Sequence, residues 1–370
     1  MDYGIGLDVG TAFIGSARKN EEGKEIYRYQ RDCFLQIEAD SDSKKMLEQA
    51  GANFVESEEN EEIYIIGEDA IKFANILSAS NNTLLRRPMA SGVLNPNEPE
   101  LAYYIIVEII RSVLGEPRVP GETVCFSVPA DPIDAQFNNM YHQRMIEGAL
   151  ESLGFTPKPI NEALAIIYAT NPTIENEDDG IVNFTGVACS FGGGQVNVCF
   201  AYRSLPLVKF SIANAYGMNE GSAGDWIDKQ VARTRADMSI SKITKFKEQH
   251  ANFTKDPMIL AAEISKNKRE EAKNRELLVA LDLYYRKLVD YVLEALSNKF
   301  KSQGESVEDP VEIVLAGGTS MPEGFEKLVQ EEVNKIELPF EVKNVRKASN
   351  PMYTVSSGCL VGAITAMREK

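Results

Sequence analysis

The chain has 370 residues, 44% hydrophobic and 25% charged, which is long enough for two domains and ordinary for a soluble globular protein. Its formal net charge is -16 and its pI is near 4.8, which argues against direct nucleic-acid binding through a basic face and against attraction to anionic lipid. Acidity does not exclude a nucleotide, because a metal ion and backbone N–H groups can neutralise phosphate locally.

The first segment, "YGIGLDVGTAFIGSARKN", breaks at "GT" and resumes, which predicts a hairpin at once. "YRYQRDCFLQIEAD" reads as one further strand. A charged piece follows, then a strand "IYIIG" and a short helix. In "NEPELAYYIIVEIIRSVLG", Leu101, Tyr104, Ile105, Val107, Ile110 and Leu114 recur at helical spacing. "ETVCFSVPA" predicts a buried strand, and "DAQFNNMYHQRMIEGALESLG" a second helix stopped by Gly154.

The pattern then restarts. "INEALAIIYAT" predicts a short helix, and "NPTIENEDDG" an acidic loop. "IVNFTGVACSFGGGQVNVCFAYRSLPLVKFSIANAYG" gives three strands with tight turns, and "SAGDWIDKQVARTRADM" a helix. "MILAAEISKNKREEAKN" is charged and helical, and "RELLVALDLYYRKLVDYVLEALSNKF" is a long amphipathic helix. "VEIVLAGGTSMPEGFEKLVQEEVNKI" reads strand, glycine turn, helix, and "VSSGCLVGAITAMRE" closes the chain as a helix. Each half reads three strands, helix, strand, helix, a duplication of organisation that predicts an α/β protein with two lobes.

Five scattered cysteines (Cys33, Cys125, Cys189, Cys199, Cys359) stand mostly in apolar runs and read as buried thiols. His142 and His250 are the only histidines, too few for a zinc site. No secretory signal or evident membrane anchor is read from the sequence, and no apolar run approaches ~18 residues, so a cytoplasmic location is expected.

Three glycine stretches fall in order: "GLDVGTAF", "SFGGGQVN" and "VLAGGTSMPEGF". Together they resemble the two phosphate loops and the adenosine loop of the actin-like ATPase superfamily. That superfamily includes actin, bacterial actins, heat-shock chaperone ATPase domains and sugar kinases. The resemblance covers nearly the whole chain and is closest to bacterial actins of the MreB and magnetosome types, through "LLRRPMASGVLNPNE", "PINEALAIIYA" and "AGDWID". It implies a bilobed actin-like fold of two ribonuclease-H-like domains with a nucleotide cleft between them. Lobe I would span 1–158 with a small insert at about 31–80. Lobe II would span 159–347 with an insert at about 226–262, and 348–370 would return to lobe I.

The resemblance also implies ATP and Mg²⁺ as ligands. Asp8 would hold Mg²⁺, through water. Gly10, Thr11, Ala12 and Phe13 would form the first cradle, and Gly192, Gly193, Gly194 and Gln195 the second. Gly224 and Asp225 match the family's glycine-aspartate turn. Gly317, Gly318, Thr319 and Met321 would receive the adenosine, with a helix starting near Met321 or Pro322 adding its dipole. Lys247 and Glu248 either contact ribose and adenine or lie on a solvated helix face.

The chain departs from that pattern at three places. Ser190 stands where the second phosphate loop carries an aspartate, Gln195 where a threonine follows the glycines, and Phe13 where a small polar residue is common. A serine carries no charge, so slow or altered hydrolysis is expected. Glu147, Gln143 and His142 are the candidates to position the attacking water, Glu147 first; the alternative is an exposed polar helix face. The function implied is a cytoskeletal ATPase whose partner is itself, stacked head to tail as single or paired protofilaments, with an adaptor protein of unknown identity. A non-polymerising nucleotide-dependent scaffold is the alternative, and a sugar kinase of the same fold a more distant one.

Overall fold

The computed structural model describes residues 4–57, 61–77, 85–136, 139–171, 185–203, 205–235, 237–304, 307–308 and 310–368. Apart from Asn171, the expected acidic loop "NPTIENEDDG" lies outside them. The chain divides into two compact units. One comprises Met1–Val128, Asn138–Ile160 and Cys359–Lys370; the other comprises Pro129–Phe137 and Asn161–Gly358.

The first unit opens with β1 (Gly4–Val9), β2 (Phe13–Lys19) and β3 (Glu25–Arg31), followed by β4 (Phe34–Glu38), α1 (Ser41–Ala50), β5 (Phe54–Ser57), β6 (Glu62–Ile66) and α2 (Glu68–Leu77). A two-stranded hairpin of β7 (Met89–Ala90) and β8 (Val93–Leu94) leads to α3 (Pro99–Leu114), β9 (Thr123–Val128), α4 (Asn139–Ser152) and β10 (Thr156–Asn161). The main sheet has the order β10-β9-β1-β2-β3, with β1 antiparallel to β2 and parallel to β9. Helix α3 starts with Pro99 in its first turn, where the missing N–H costs nothing, and ends at Gly115. Its buried stripe, Ile105, Ile106, Ile109 and Val113, joins Ile5, Leu7 and Phe126 of the sheet in one core.

The second unit runs α5 (Glu162–Thr170), β11 (Gly186–Phe191), β12 (Val196–Tyr202), β13 (Leu205–Ile212), α6 (Ala223–Thr234), α7 (Ile240–His250), α8 (Pro257–Ile264), α9 (Lys268–Gln303), β14 (Val311–Ala316), α10 (Phe325–Val333) and β15 (Val342–Lys347); α11 (Thr354–Arg368) begins in it and from Cys359 belongs to the first unit. Its sheet has the order β13-β12-β11-β14-β15. Read from the opposite end, this is the topology of the first sheet: a three-strand antiparallel meander, then two strands added beside its first strand. The duplication expected from the sequence is therefore a duplication of sheet topology. Every residue of β11 is buried, as in a strand covered on both faces. The 36-residue α9 would extend about 54 Å at the standard helical rise. Asn267 caps its start by accepting from the N–H groups of Arg269 and Glu270.

Several elements differ from the sequence expectation, each for a local reason. The single strand expected over "YRYQRDCFLQIEAD" is two, because the chain leaves β3 at Asp32 and joins a separate sheet, β4-β6-β5, at Phe34. The charged piece after it folds as α1 and β5: Asp40 accepts from the N–H groups of Asp42 and Ser43, and Gly51 closes the helix at φ 62°. The charged helical stretch "MILAAEISKNKREEAKN" is two helices, because Asn267 starts α9 afresh. Helix α10 starts at Phe325 behind Gly324 (φ 78°), and not at Met321 or Pro322. β10 and β15 have no sequence counterpart above. Both are edge strands, one carrying Pro157 and Pro159 and the other Lys343, Arg346 and Lys347, residue types that edges tolerate and that hide a strand from an apolar search.

Candidate functional site

The two halves end their first strands in the same turn. In the first unit Gly10 N–H donates to Phe13 O at 3.1 Å, leaving Thr11 and Ala12 at the tip. In the second unit Gly192 N–H donates to Gln195 O at 3.1 Å, leaving Gly193 and Gly194 at the tip. A Cβ on Gly10 would stand 2.8 Å from Phe13 O, and one on Gly192 3.0 Å from Gln195 O. Closure of the turn itself thus requires glycine at Gly10 and leaves little room for anything else at Gly192. Among the described residues, no acceptor is bonded by the N–H groups of Thr11, Ala12, Gly193 or Gly194. Each turn therefore offers two adjacent backbone donors, the arrangement that binds anions.

In the first unit Asp8 is the residue two before Gly10. Ser127 donates its hydroxyl to Asp8 Oδ1 at 2.9 Å and accepts from Val9 N–H at 2.9 Å. Loss of hydration pushes the Asp8 carboxyl up to about 6, against the pull of Ser127. Its second oxygen has no protein partner among the described residues. These residues fit a magnesium ion held through water: a partly dehydrated carboxylate with one oxygen fixed and one available. No cluster of three His, Cys, Asp or Glu able to enclose a metal occurs among the described residues, so most of the ion's shell would come from water and phosphate. The tip is held from behind. Thr11 Oγ1 accepts from Gly92 N–H at 2.9 Å, and Ala12 O from Asp32 N–H at 3.0 Å.

In the second unit all three glycine carbonyls are turned the same way and occupied. Gly192 O accepts from Gly224 N–H (3.2 Å) and from the Thr319 hydroxyl (2.6 Å), Gly193 O from Asp225 N–H (2.8 Å), and Gly194 O from Ser222 N–H (3.2 Å). Because the carbonyls face the start of α6, the N–H groups of Gly193 and Gly194 face the other way. Gly317 crosses directly behind this strand with φ 88° and ψ 157°; a Cβ there would lie 2.4 Å from Phe191 O. Gly318 has nothing within 4 Å of the Cβ position. The structure thus brings Gly192, Gly193, Gly194, Gly224, Asp225, Gly317 and Thr319 into one assembly, while Met321 is exposed beyond it and Gln195 closes the turn.

Lys247 belongs to the same assembly and not to a solvated face. Its ammonium lies 2.8 Å from Asp228 Oδ1 and donates to Gly224 O at 3.0 Å. Thr244 donates to the other oxygen of Asp228 at 2.7 Å. Burial pushes the Asp228 carboxyl up, against the pull of Lys247 and Thr244. The signal was present in the sequence: Ile243 and Ala251, four residues either side, put Lys247 on the apolar stripe of α7. Glu248, one residue on, is exposed.

The water-positioning candidates separate. His142 is fully buried, its Nδ1 accepting from Leu94 N–H at 3.3 Å, and burial pushes it down to about 4, so the exposed-face reading fails for it. Gln143 donates to Glu147 Oε1 (2.8 Å) and Arg144 to Oε2 (2.9 Å), so Glu147 is engaged by its own helix. Beside Ser190 stands a carboxylate that sequence reasoning missed. Asn197 pairs with Ser190 across the hairpin, accepts from Ala130 N–H at 3.0 Å and donates to Glu162 Oε2 at 2.8 Å. An asparagine inside the apolar strand "VNVCFAY" was the available clue.

A repeated sheet of this topology, with two glycine hairpins and a third glycine crossing, makes an actin-like fold. The chain aligns with a structure described as the MamK double helical filament at a TM-score of 0.60 and 16% identity, over 99% of this chain and 98% of that one. It aligns with the ethanolamine utilization protein EutJ from Carboxydothermus hydrogenoformans at 0.53 and 13%, over 97% and 89%. No curated protein matches the sequence. Residues 1–363 match the family model described as Volactin, and the chain belongs to the Volactin family.

Proposed function

We propose that this chain binds Mg-ATP through its glycine loops and assembles head to tail into filaments, hydrolysing ATP slowly. The observation that carries the nucleotide reading is the pair of identical turns, each presenting two backbone N–H groups without an acceptor. Thr11 and Ala12 bind phosphate in one unit, and Gly193 and Gly194 in the other. Asp8 holds the magnesium ion, which would screen phosphate charge. Gly318 and Thr319 receive the adenosine, and Lys247, already neutralised by Asp228, shapes that pocket without meeting phosphate. Slow hydrolysis follows from the uncharged Ser190. Glu162, held by Asn197, is a carboxylate able to orient water in its place, alongside Glu147.

Self-assembly is supported by likeness to a protein that forms a double helical filament. Ser190 favours a second reading, a scaffold that binds nucleotide without polymerising. Two measurements decide. Trp226 is the only tryptophan and lies one residue beyond Asp225, so its fluorescence should change on titration with Mg-ATP. Gly193→Val, which obstructs the second turn, should abolish that change. Sedimentation and electron microscopy with ATP against ADP should show filaments. Binding without filaments at any salt or protein concentration would select the scaffold, and no binding would overturn both readings.

No helix among the described residues is long and apolar enough to cross a membrane. A cytoplasmic filament is the form consistent with this reading.

A further inference from the structure

The three consecutive residues Thr11, Ala12 and Phe13 are each tied to a different crossing between the main sheet of the first unit and its small insert sheet, β4-β6-β5. Ala12 O accepts from Asp32 N–H at 3.0 Å, where the chain enters the insert. Thr11 Oγ1 accepts from Gly92 N–H at 2.9 Å, after the chain has left it through Arg86, which pairs with Phe34. Phe13 is the cross-strand neighbour of Arg31, whose guanidinium lies 4.2 Å from the centre of its ring. Arg31 then reaches Glu68 Oε1 at 3.0 Å, on the first residue of α2 in the insert. Phe13 O also closes the turn through Gly10 N–H.

We propose that Arg31, seated on Phe13 and joined to Glu68, is a positioning residue that couples occupancy of the first glycine loop to the seating of the insert. The physical basis is geometric. A phosphate drawn onto the Thr11 and Ala12 N–H groups pulls on a turn whose remaining atoms are bonded to the crossings. The first two ties are single hydrogen bonds to backbone N–H groups. The third is a planar cation stacked on an aromatic face and bonded to a carboxylate, which resists both sliding and separation. Phe13 is also the position where this chain departs from the small polar residue of the family it resembles, so the device belongs to this chain's own residues. By linkage, whatever loop occupancy does to the insert, a change at the Arg31–Glu68 contact does to nucleotide affinity.

This inference rests on the nucleotide reading, and its test separates the two. The probe is Mg²⁺ with a β,γ-imido analogue of ATP. Binding is measured by calorimetry, and amide hydrogen exchange is followed in β4 and β6 with and without the probe. In the wild type the probe should slow exchange there by at least about fivefold, the lower end of ordinary coupling. In Arg31→Ala and Glu68→Gln that difference should vanish while heat of binding persists. Lys44→Ala, which breaks a surface pair with Glu56 on the same insert, should leave it intact. Arg31→Lys keeps the charge but loses the planar stack, and should restore only part of the difference. A merely structural contact would change exchange equally with and without the probe. No heat in the wild type overturns the nucleotide reading itself. Heat with no change in β4 and β6, or a change that survives both Arg31→Ala and Glu68→Gln, overturns the coupling alone.

Discussion

Gly317→Ala tests how tightly the third glycine stretch is built against the second. Gly317 has φ 88° and ψ 157°, a region that only glycine occupies comfortably, so any side chain there costs about 1–3 kcal/mol. The added Cβ would also stand 2.4 Å from Phe191 O and 2.6 Å from its carbonyl carbon, both backbone atoms that cannot rotate aside. Relieving that overlap moves the end of β14 from β11 by about 1 Å and adds about 1–3 kcal/mol of overpacking. The 2.6 Å bond from Thr319 to Gly192 O lies next to the displacement, and its loss costs about 1 kcal/mol more. The expected total is about 3–7 kcal/mol, a large share of ordinary domain stability. Urea unfolding followed by Trp226, buried in the core of the same unit, should show the midpoint falling by about 1–2 M. Gly318→Ala is the matched control, since nothing lies within 4 Å of its Cβ position. Superimposable melts for the two variants would refute the argument that Gly317 is held by contact with Phe191.

Lys247→Met should strand the buried Asp228 charge and destabilise the protein by about 3–5 kcal/mol, read in the same melt; a loss below about 1 kcal/mol would return Lys247 to the status of a surface residue. His142 is held down to about 4 by burial, below its unfolded value, so its contribution is fully present above pH 6.5 and is lost as pH falls towards 4, by up to about 1.4 kcal/mol per pH unit. Asp8, pushed up to about 6, works in the opposite sense, its contribution being lost as pH rises from 3.8 through 6, so the comparison of wild type with His142→Gln isolates the histidine; identical slopes between pH 7 and 5 would sink the assignment. Ser190→Asp should raise phosphate release at saturating Mg-ATP by up to about 10²-fold if the serine is the limiting group, and Glu162→Gln should lower it; indifference to both would move the hydrolytic water elsewhere.

The sequence made the parts of the fold that depend on apolar runs and glycine turns legible. The buried β11, the α3 stripe and the long α9 all carry patterns that local reading recognises. Two edge strands, β10 and β15, were not legible, while the edges β3 and β13 were. β10 is written in prolines and β15 in lysine and arginine, because an edge strand is specified by its neighbour and not by its own burial. The candidate site divides the same way. Gly10, Gly192 and Gly317 announce themselves, since few conformations other than tight turns demand glycine. The partners that fix them, Ser127, Asp32, Ser222, Asp228, Thr244 and the Asn197–Glu162 pair, are ordinary residues far away in sequence. Their roles exist only once the strands are aligned. Phe13 shows the intermediate case: as a departure from the resembled pattern it was visible, but its stacking under Arg31 was not.

The two halves of this molecule carry one sheet topology and one hairpin register twice and furnish them differently, which makes each a host for residues transplanted from the other. Asp8 faces Gly15 across its hairpin, while Ser190 faces Asn197 across the equivalent one. On the parallel side, Ser127 follows the Leu7–Phe126 pair in one sheet, and Ala316 pairs with Ser190 in the other. The first half therefore keeps an ionisable group on the strand, opposite a glycine. The second places an amide at that position and borrows its carboxylate from a neighbouring helix. Exchanging Asp8–Gly15 for Ser190–Asn197 as whole pairs would carry each solution into a scaffold of matching turn and register. The charge asymmetry between the halves could then be inverted, doubled or removed without redesigning the chain around it.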